Sequence, residues 1–544
     1  MFAFAVIPLT VAALGGATTA PPVPVRDSVP LYDDLGTHHV AITTAVPLTQ
    51  RYFDQGMRLL FAFNHGEAIR AFTEAARLDP NCAMCYWGVG YAYGPHVNAG
   101  MDSAGGVAAY AAVRQAVIRL RYASPREQSY IGALLKRYSP TPRANRAALD
   151  SAYARGMGGV VTQYPNDLDA AALYAESLMD LRPWNYWDKK TGEPYPGTTE
   201  ILAQLERVIQ ANPNHPGACH FYIHAVEAVA PEKAVPCAER LAALMPGAGH
   251  LVHMPAHIYV RVGRYADAIT ANEHAVHVDE AYIEGQKPQG VYPVGYYPHN
   301  YHFLAFAATL AGNSAVAIAA AKKTAATTPV EVAKQVPFVE PYLHYPYLTL
   351  VSFGRWDELL AMPLPPAELP YSVAMVQYAR GVALAATGRF AEAQAALNAV
   401  KQIATAGVQA YAGAGWTTPS TNLDIAMHAL AGEIAARQDS LSSAVLHFRA
   451  ALAIEDDQLY TEPPDWYYPI RHSLAAVLLR AGNPAEAEEL YRQNLKRFPE
   501  NGWALFGLAH ALRAQGRDAE AADVDARFQK AWQGADVTLV ASRF

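Results

Sequence analysis

The 544-residue chain has few charges and no basic stripe. Lys, Arg, Asp and Glu together make up 17% of its residues, and its formal net charge is -7. Nucleic acid is therefore not an expected partner, because no run of Lys or Arg provides the surface that a phosphate backbone requires. An apolar content of 52% excludes global disorder.

Long hydrophobic runs are also lacking. Beyond the N-terminus no stretch of about 18 uninterrupted apolar residues occurs, so we expect no membrane span. The apolar run over residues 2–14, followed by small residues up to Ala20, is typical of an export signal, although no Lys or Arg precedes it. The alternative is a disordered or packed tail. We predict a signal peptide over 1–20, a Pro-rich linker over 21–37, and a periplasmic or extracellular (secreted) protein.

Only four cysteines occur, which allows two disulfides in an exported protein without fixing their pairing. Cys82 and Cys85 open a predicted helix, where a local disulfide, packed thiols and metal ligation are comparable alternatives. Cys219 and Cys237 lie on the two helices of one predicted pair and are candidates for a second disulfide.

Sustained strand-type alternation is absent, and a short turn motif recurs instead. The motif is Gly, a polar residue, usually an aromatic residue, and then Ala. Its copies begin at Gly263, Gly388, Gly482 and Gly516, with weaker ones at Gly312 and Gly354. Gly482 and Gly516 are 34 residues apart, as are Gly354 and Gly388, and this is the period of the tetratricopeptide repeat (TPR). The sequence therefore predicts an all-α, right-handed TPR-like helical-repeat solenoid.

We expect three parts after the linker: N-terminal repeats over 38–200, His-rich central repeats over 201–325, and C-terminal repeats with a charged cap over 326–544. Several long loops interrupt the array, and such loops usually cover or build a site. The loop over 182–197 carries Trp184, Tyr186 and Trp187. These rings either stack against a ligand or pack against the end of a helix pair, and packing is favoured.

Histidines concentrate in the central repeats at spacings of three and four, which place side chains on one helix face. They fall on predicted first helices of successive pairs, which line the concave groove of a TPR stack. Neutral imidazoles that converge there are suitable ligands for zinc or copper. The candidate metal ligands are His220, His224, Glu227, His250, His253, His257, His299 and His302, with Cys82 and Cys85 as weaker candidates.

Each histidine taken alone is more often a hydrogen-bonded core residue than a ligand. Neither a His-Glu-x-x-His motif nor a Cys-x-x-Cys-His haem motif is present. Tyr259, Arg261 and Asn300 join the three loop aromatics as candidate groove residues. The first hypothesis is an exported scaffold that binds a protein, peptide or glycan, with a histidine-based metal site. The alternatives are a metal-dependent enzyme using the same histidines, and a structural subunit that self-associates through its ends.

Five strings resemble those of a family of exported bacterial TPR-repeat proteins. They are residues 61–65, 79–88, 220–227, 250–261 and 501–505. Two of them contain Cys-Ala-Met-Cys-Tyr-Trp-Gly and His-Met-Pro-Ala-His-Ile-Tyr, which are typical of that family and not of TPRs in general. The resemblance extends from about residue 38 onward. It implies an all-α TPR fold and no particular activity.

Overall fold

The computed structural model describes residues 29–141, 145–288, 290–408 and 418–544. The predicted signal peptide and residues 21–28 of the predicted linker lie outside the described residues. Within the described ranges the secondary structure is helical, and the only extended pairings are two isolated bridges, His96–Ala99 and Trp187–Pro194. The predicted all-α helical-repeat class is therefore confirmed.

The chain divides into two compact units. The first runs to Ala225 and also contains Arg240–Leu251, whereas the second contains Val226–Glu239 and Val252–Phe544. The helices up to Ala211 are α1 Pro47–Phe61, α2 His65–Leu78, α3 Ala83–Ala92, α4 Ser103–Ile118, α5 Pro125–Leu135, α6 Arg146–Gln163, α7 Leu168–Met179 and α8 Thr198–Ala211.

The central helices vary widely in length, from five to 22 residues. They are α9 Pro216–Val226, α10 Val235–Leu244, α11 Gly249–His253, α12 Pro255–Arg261, α13 Tyr265–Gln286, α14 Tyr297–Leu310 and α15 Ser314–Ala326. A π-helical turn, Tyr292–Tyr296, leads directly into α14. Such turns often occur near functional sites.

Helix pairs continue to the end of the second unit. They are α16 Val330–Gln335, α17 Pro341–Ser352, α18 Trp356–Ala361, α19 Pro370–Ala386, α20 Phe390–Ala406, α21 Pro419–Arg437, α22 Leu441–Asp457, α23 Ile470–Arg480, α24 Pro484–Arg497, α25 Gly502–Ala514 and α26 Asp518–Ala531. After α26 the chain runs to Phe544 without regular structure. No helix within the described ranges is both long and apolar enough to cross a bilayer.

The turn glycines of the second unit adopt the backbone conformation that the motif predicts. Each ends the first helix of a pair with φ between +64° and +80°: Gly263, Gly312, Gly354, Gly388, Gly482 and Gly516. This left-handed region is open to glycine at little cost. The first unit contains an exception, because Phe63 occupies the same place between α1 and α2 with φ +55°.

Phe72 illustrates how neighbouring helices of the first unit approach each other. Its side chain, on α2, is fully buried. A Cβ added at Gly56 of α1 would lie 2.4 Å from the Phe72 ring, and one added at Gly88 of α3 would lie 2.5 Å from it. The ring therefore fills the space that two glycines leave on the flanking helices.

We expect Gly88→Ala to lower the free energy of unfolding by about 1–3 kcal/mol, because the added methyl group overlaps the enclosed Phe72 ring. Gly132→Ala on α5 is the matched control, since nothing lies within 4 Å of its added Cβ. That control should leave stability unchanged or raise it by up to about 1 kcal/mol, as alanine is the better helix former. Chemical denaturation measures both. Equal effects of the two substitutions would contradict the described packing.

Candidate metal centres

Three histidines of the second unit bring their ring nitrogens together. His253 ends α11, His257 lies on α12, and His299 lies on α14. The Nε2 atom of His253 is 2.8 Å from Nε2 of His257 and 3.2 Å from Nε2 of His299. The first two rings are buried and His299 is half-buried. We call these residues the second-unit triad.

The opposite nitrogen of two of these rings faces a hydrogen-bond acceptor. Nδ1 of His257 is 2.7 Å from Oε2 of Glu227. Nδ1 of His253 is 2.7 Å from Oδ1 of Asn272, and the Asn272 amide is oriented by its own Nδ2–H, which donates to the Ala268 carbonyl. In the neutral rings the proton is therefore on Nδ1, and each Nε2 carries a lone pair.

Two lone pairs at this distance repel each other unless a positive charge lies between them. One shared proton can relieve a single contact, but Nε2 of His253 faces two other Nε2 atoms. A metal ion that binds here accepts one lone pair from each ring, with neutral His299 also protonated on Nδ1. Three nitrogens bound tetrahedrally to one zinc, each at about 2.0–2.1 Å, are ~3.3 Å apart. The two separations given above, 2.8 and 3.2 Å, are close to that spacing.

Neighbouring side chains hold the second-unit triad in place. The Phe303 ring, on α14, packs against His257 and His253 with centroid distances of 4.8 and 5.0 Å. The Arg261 guanidinium donates to the Glu227 and Ala228 carbonyls at 3.1 Å each, and so fixes the segment that carries Glu227. Arg261, predicted to contact a ligand in the groove, is thus mostly buried and cross-links the backbone.

A separate group of three histidines lies in the first unit. Nε2 of His220, on α9, is 3.2 Å from Nε2 of His224 and 3.2 Å from Nε2 of His250. Nδ1 of His220 is 2.7 Å from the Phe61 carbonyl, which is at the C-terminal end of α1, where carbonyls have no partner within the helix. A carbonyl only accepts, so neutral His220 is protonated on Nδ1 and its Nε2 lone pair faces the other two rings. We call these residues the first-unit triad.

Phe63 lies against the first-unit triad. Its ring centroid is 4.4 Å from that of His220, 5.5 Å from that of His250 and 6.1 Å from that of His224. The left-handed conformation of Phe63 costs a non-glycine residue about 1–2 kcal/mol. The packing of its ring against the histidines therefore outweighs the local preference of the backbone. Phe63 was not among the residues predicted from the sequence. An aromatic residue at the turn position otherwise held by Gly is the signal that could have identified it.

The aromatic loop before α8 also packs on the first unit. Trp184 presents its ring to His224 in an edge contact, with centroids 5.0 Å apart. Trp187 donates its indole N–H to the Ala225 carbonyl at 2.7 Å, and Tyr186 is buried. These contacts agree with packing, the favoured sequence interpretation, and place the loop beside α9.

Three predicted residues of the second unit lie away from its triad. His302 lies one turn beyond His299 on α14, but its ring packs on Tyr345 at 4.1 Å, and burial lowers its pKa to about 3. Asn300 is buried and donates to Asp279, whose pKa burial raises to about 7. The Arg264 guanidinium covers the Tyr259 ring and lies 4.4 Å from its centroid.

The weaker cysteine candidates do not offer thiolates. Cys82 and Cys85 form a disulfide with their Cα atoms 5.4 Å apart, and metal binding through cysteine requires the free thiolate. Cys219 belongs to the first unit and Cys237 to the second, and their pairing stays a prediction.

A further cluster of the first unit, not predicted from the sequence, consists of His38, Asp169 and His215. Nε2 of His38 is 2.8 Å from Oδ1 of Asp169, and Nε2 of His215 is 3.2 Å from the same oxygen. Nδ1 of His215 accepts from the Ala218 N–H, so its proton is on Nε2 and no lone pair is left for a metal. Burial raises the pKa of Asp169, but hydrogen bonds from His215 and His38 outweigh it and the pKa is lowered. This cluster is better described as a carboxylate that accepts hydrogen bonds from two histidines than as a metal site.

Comparison with known proteins identifies the repeat type in part of the second unit. Residues 478–524 and 374–399 match models of the tetratricopeptide repeat. These two stretches are similar to tetratricopeptide repeats. The first match covers most of α23–α26, and the second lies in α19 and α20. No curated protein matches the chain in sequence.

Similar solved structures are distant. Human IFIT1, in a dimer with m7Gppp-AAAA, is 12% identical, with 90% of this chain and 91% of that chain covered and a TM-score of 0.33. The assembly chaperone of RpL4 (Acl4) is 16% identical, with 57% and 99% covered and a TM-score of 0.24. The P58(IPK) TPR domain is 11% identical, with 86% and 98% covered and a TM-score of 0.22.

Proposed function

We propose that this TPR-containing chain binds transition-metal ions, one at each histidine triad. The observation that carries the proposal is the orientation of the rings. Nε2 atoms converge in each triad, and His220, His253 and His257 turn Nδ1 toward an acceptor. Three neutral imidazoles with a vacant fourth position are a ligand set that zinc adopts in enzymes, and copper also accepts imidazole.

The surroundings of the second-unit triad support a divalent ion there. Glu227 is a buried carboxylate that faces Nδ1 of His257. Its negative charge makes the His257 imidazole a stronger electron-pair donor to the metal and partly offsets the charge of the ion. An unpaired carboxylate in this place would be costly to bury, so its pairing with His257 serves both groups.

Metal-dependent hydrolysis is the second candidate function, favoured by the half-buried position of His299. A site with three protein ligands leaves a position for water, and a bound divalent ion lowers the pKa of that water toward neutrality. The residues of this chain would hold the ion and fix the direction of its open coordination position. Metal binding remains the primary proposal, because it requires only the ring orientations described above.

We also propose that the protein is exported, as its N-terminal sequence predicts. The Cys82–Cys85 disulfide supports this location, because disulfides persist in oxidising compartments and are rare in the cytosol.

The metal proposal is tested first by stoichiometry. Protein stripped with a chelator, reloaded with zinc or Cu(II) and desalted should retain one ion per triad, or two per chain, by elemental analysis. His299→Ala should remove the ion of the second-unit triad. His302→Ala is the matched control on the same helix, because His302 packs on Tyr345, and it should leave both ions in place. Retention of no metal by the unaltered chain would refute the proposal.

A second prediction concerns the carboxylate. Glu227→Gln keeps the shape and an acceptor oxygen for His257 but removes the charge. We expect metal affinity at the second-unit triad to fall by about 10–100-fold, as is usual when such partners are changed. Competition with a chromophoric chelator measures the affinity. An unchanged affinity, in protein shown to be folded by circular dichroism, would mean that Glu227 is only a packing partner.

Export is tested by fractionating cells that express the full sequence and determining the N-terminus of the recovered protein. We expect recovery from the periplasm or medium, with the N-terminus at Pro21. Recovery only from the cytoplasm with residues 1–20 intact would contradict the proposal.

A further inference from the structure

Residues 537–544, here called the tail segment, are anchored within the second unit. Just before them, the Asp536 carboxylate accepts from the backbone N–H groups of Ser314 and Ala315 at 2.7 and 2.9 Å. These groups open α15, where unpaired N–H groups favour a negative charge. The Trp532 indole donates to the Val537 carbonyl at 2.9 Å. The segment therefore enters the unit at a fixed point.

Polar contacts then hold the middle of the tail segment. Ser542 is 1% exposed. Its hydroxyl donates to the His472 carbonyl at 3.1 Å and is 2.7 Å from the Tyr491 hydroxyl. The Tyr468 hydroxyl donates to the Ser542 carbonyl. These contacts recognise the backbone and one small polar side chain of the segment.

Arg543 is recognised by charge and by an aromatic face. Its guanidinium forms an ion pair with Glu433 of α21, and the two side chains are only 11% and 9% exposed. The guanidinium also lies 5.6 Å from the centroid of the Phe448 ring. Burial lowers the Arg543 pKa to about 10, so the side chain is still charged at neutral pH. A buried carboxylate opposite a buried guanidinium selects strongly for a basic residue at this position.

Phe544 fills an apolar position next to Arg543. Its ring packs edge-on against Trp503 with centroids 5.6 Å apart. It also lies against the α17 turn, where a Cβ added at Gly354 would come within 2.9 Å of the Phe544 Cβ. Earlier in the segment Leu539 is 7% exposed and Val540 is 79% exposed. Leu539 therefore faces the unit, whereas Val540 faces solvent.

The walls that receive Arg543 and Phe544 come from the first helices of several pairs. They include Ser352 of α17, Tyr378 of α19, Glu433 of α21 and Ser473 of α23, together with Tyr468. We call this surface the tail groove. Side chains on parallel first helices are well placed to contact successive residues of one bound peptide.

We propose that the tail groove is a peptide-binding site for a segment with Arg followed by an aromatic residue, and that the tail segment occupies it as an internal competitor. Another peptide of this chemistry binds when the tail segment is displaced. Because the tail segment is tethered, its effective concentration is in the millimolar range, and it excludes a free peptide of similar intrinsic affinity. This site is independent of the histidine triads, and metal binding can fail without affecting it.

The test uses the full chain with the tail segment weakened by Arg543→Ala and Phe544→Ala together. A fluorescein-labelled peptide with the natural sequence of residues 537–544 should bind this variant at least tenfold more tightly than the unaltered chain, measured by anisotropy. Adding Glu433→Gln to the variant should reduce that affinity at least tenfold. A peptide carrying Arg543→Ala should bind at least tenfold more weakly than the natural peptide, whereas one carrying the exposed-site change Val540→Ala should bind equally.

Thermal melts make a negative result decisive. If the weakened variant melts like the unaltered chain yet binds no peptide, the tail groove is not a peptide site. If it unfolds or melts at a much lower temperature, and saturating natural peptide does not restore the transition, the tail segment is a fixed part of the core and the proposal is wrong. Restoration of the transition by the natural peptide, but not by the Arg543→Ala peptide, would support it.

Discussion

The hydrogen bonds at Nδ1 of the histidines are the constraint on which the candidate centres depend. An acceptor that faces Nδ1 fixes the proton of a neutral ring there, so that Nε2 carries the lone pair. Glu227 imposes this state on His257, Asn272 on His253, and the Phe61 carbonyl on His220. These partners direct Nε2 of His220, His253 and His257 toward the neighbouring rings, and this orientation supports metal binding.

The helical repeat explains how such a set is built. Successive first helices present one face to a common side, so residues three or four apart on one helix meet residues of the next. In the second unit the short helix α12 and the longer α14 place His257 and His299 opposite His253, and Phe303 packs against two of these rings. The same principle brings residues of α17, α19, α21 and α23 to the tail groove. One architecture therefore positions the residues of both proposed sites.

Local sequence signals predicted the helical repeat, because turn glycines and helical spacing act over a few residues. The partition into two triads was not predictable, since contacts such as His253 with His299 depend on how distant helices meet. His302 shares the spacing of a ligand but turns to Tyr345. Arg261 and Asn300 are buried in polar networks, and nothing in the spacing distinguishes that role from contact with a ligand. The tail groove was missed because its occupant lies far along the chain from its walls.

X-ray absorption at the edge of the bound metal tests the central claim most directly. For protein loaded with zinc we predict a first shell of imidazole nitrogens, three per ion, at about 2.0–2.1 Å, completed by oxygen. A chain carrying His253→Ala and His257→Ala should keep one ion with the same imidazole shell, and one that also carries His220→Ala and His250→Ala should keep none. A shell of oxygen alone, or full metal loading of that fourfold variant, would show that the metal binds elsewhere and that the triads are packed, hydrogen-bonded histidines.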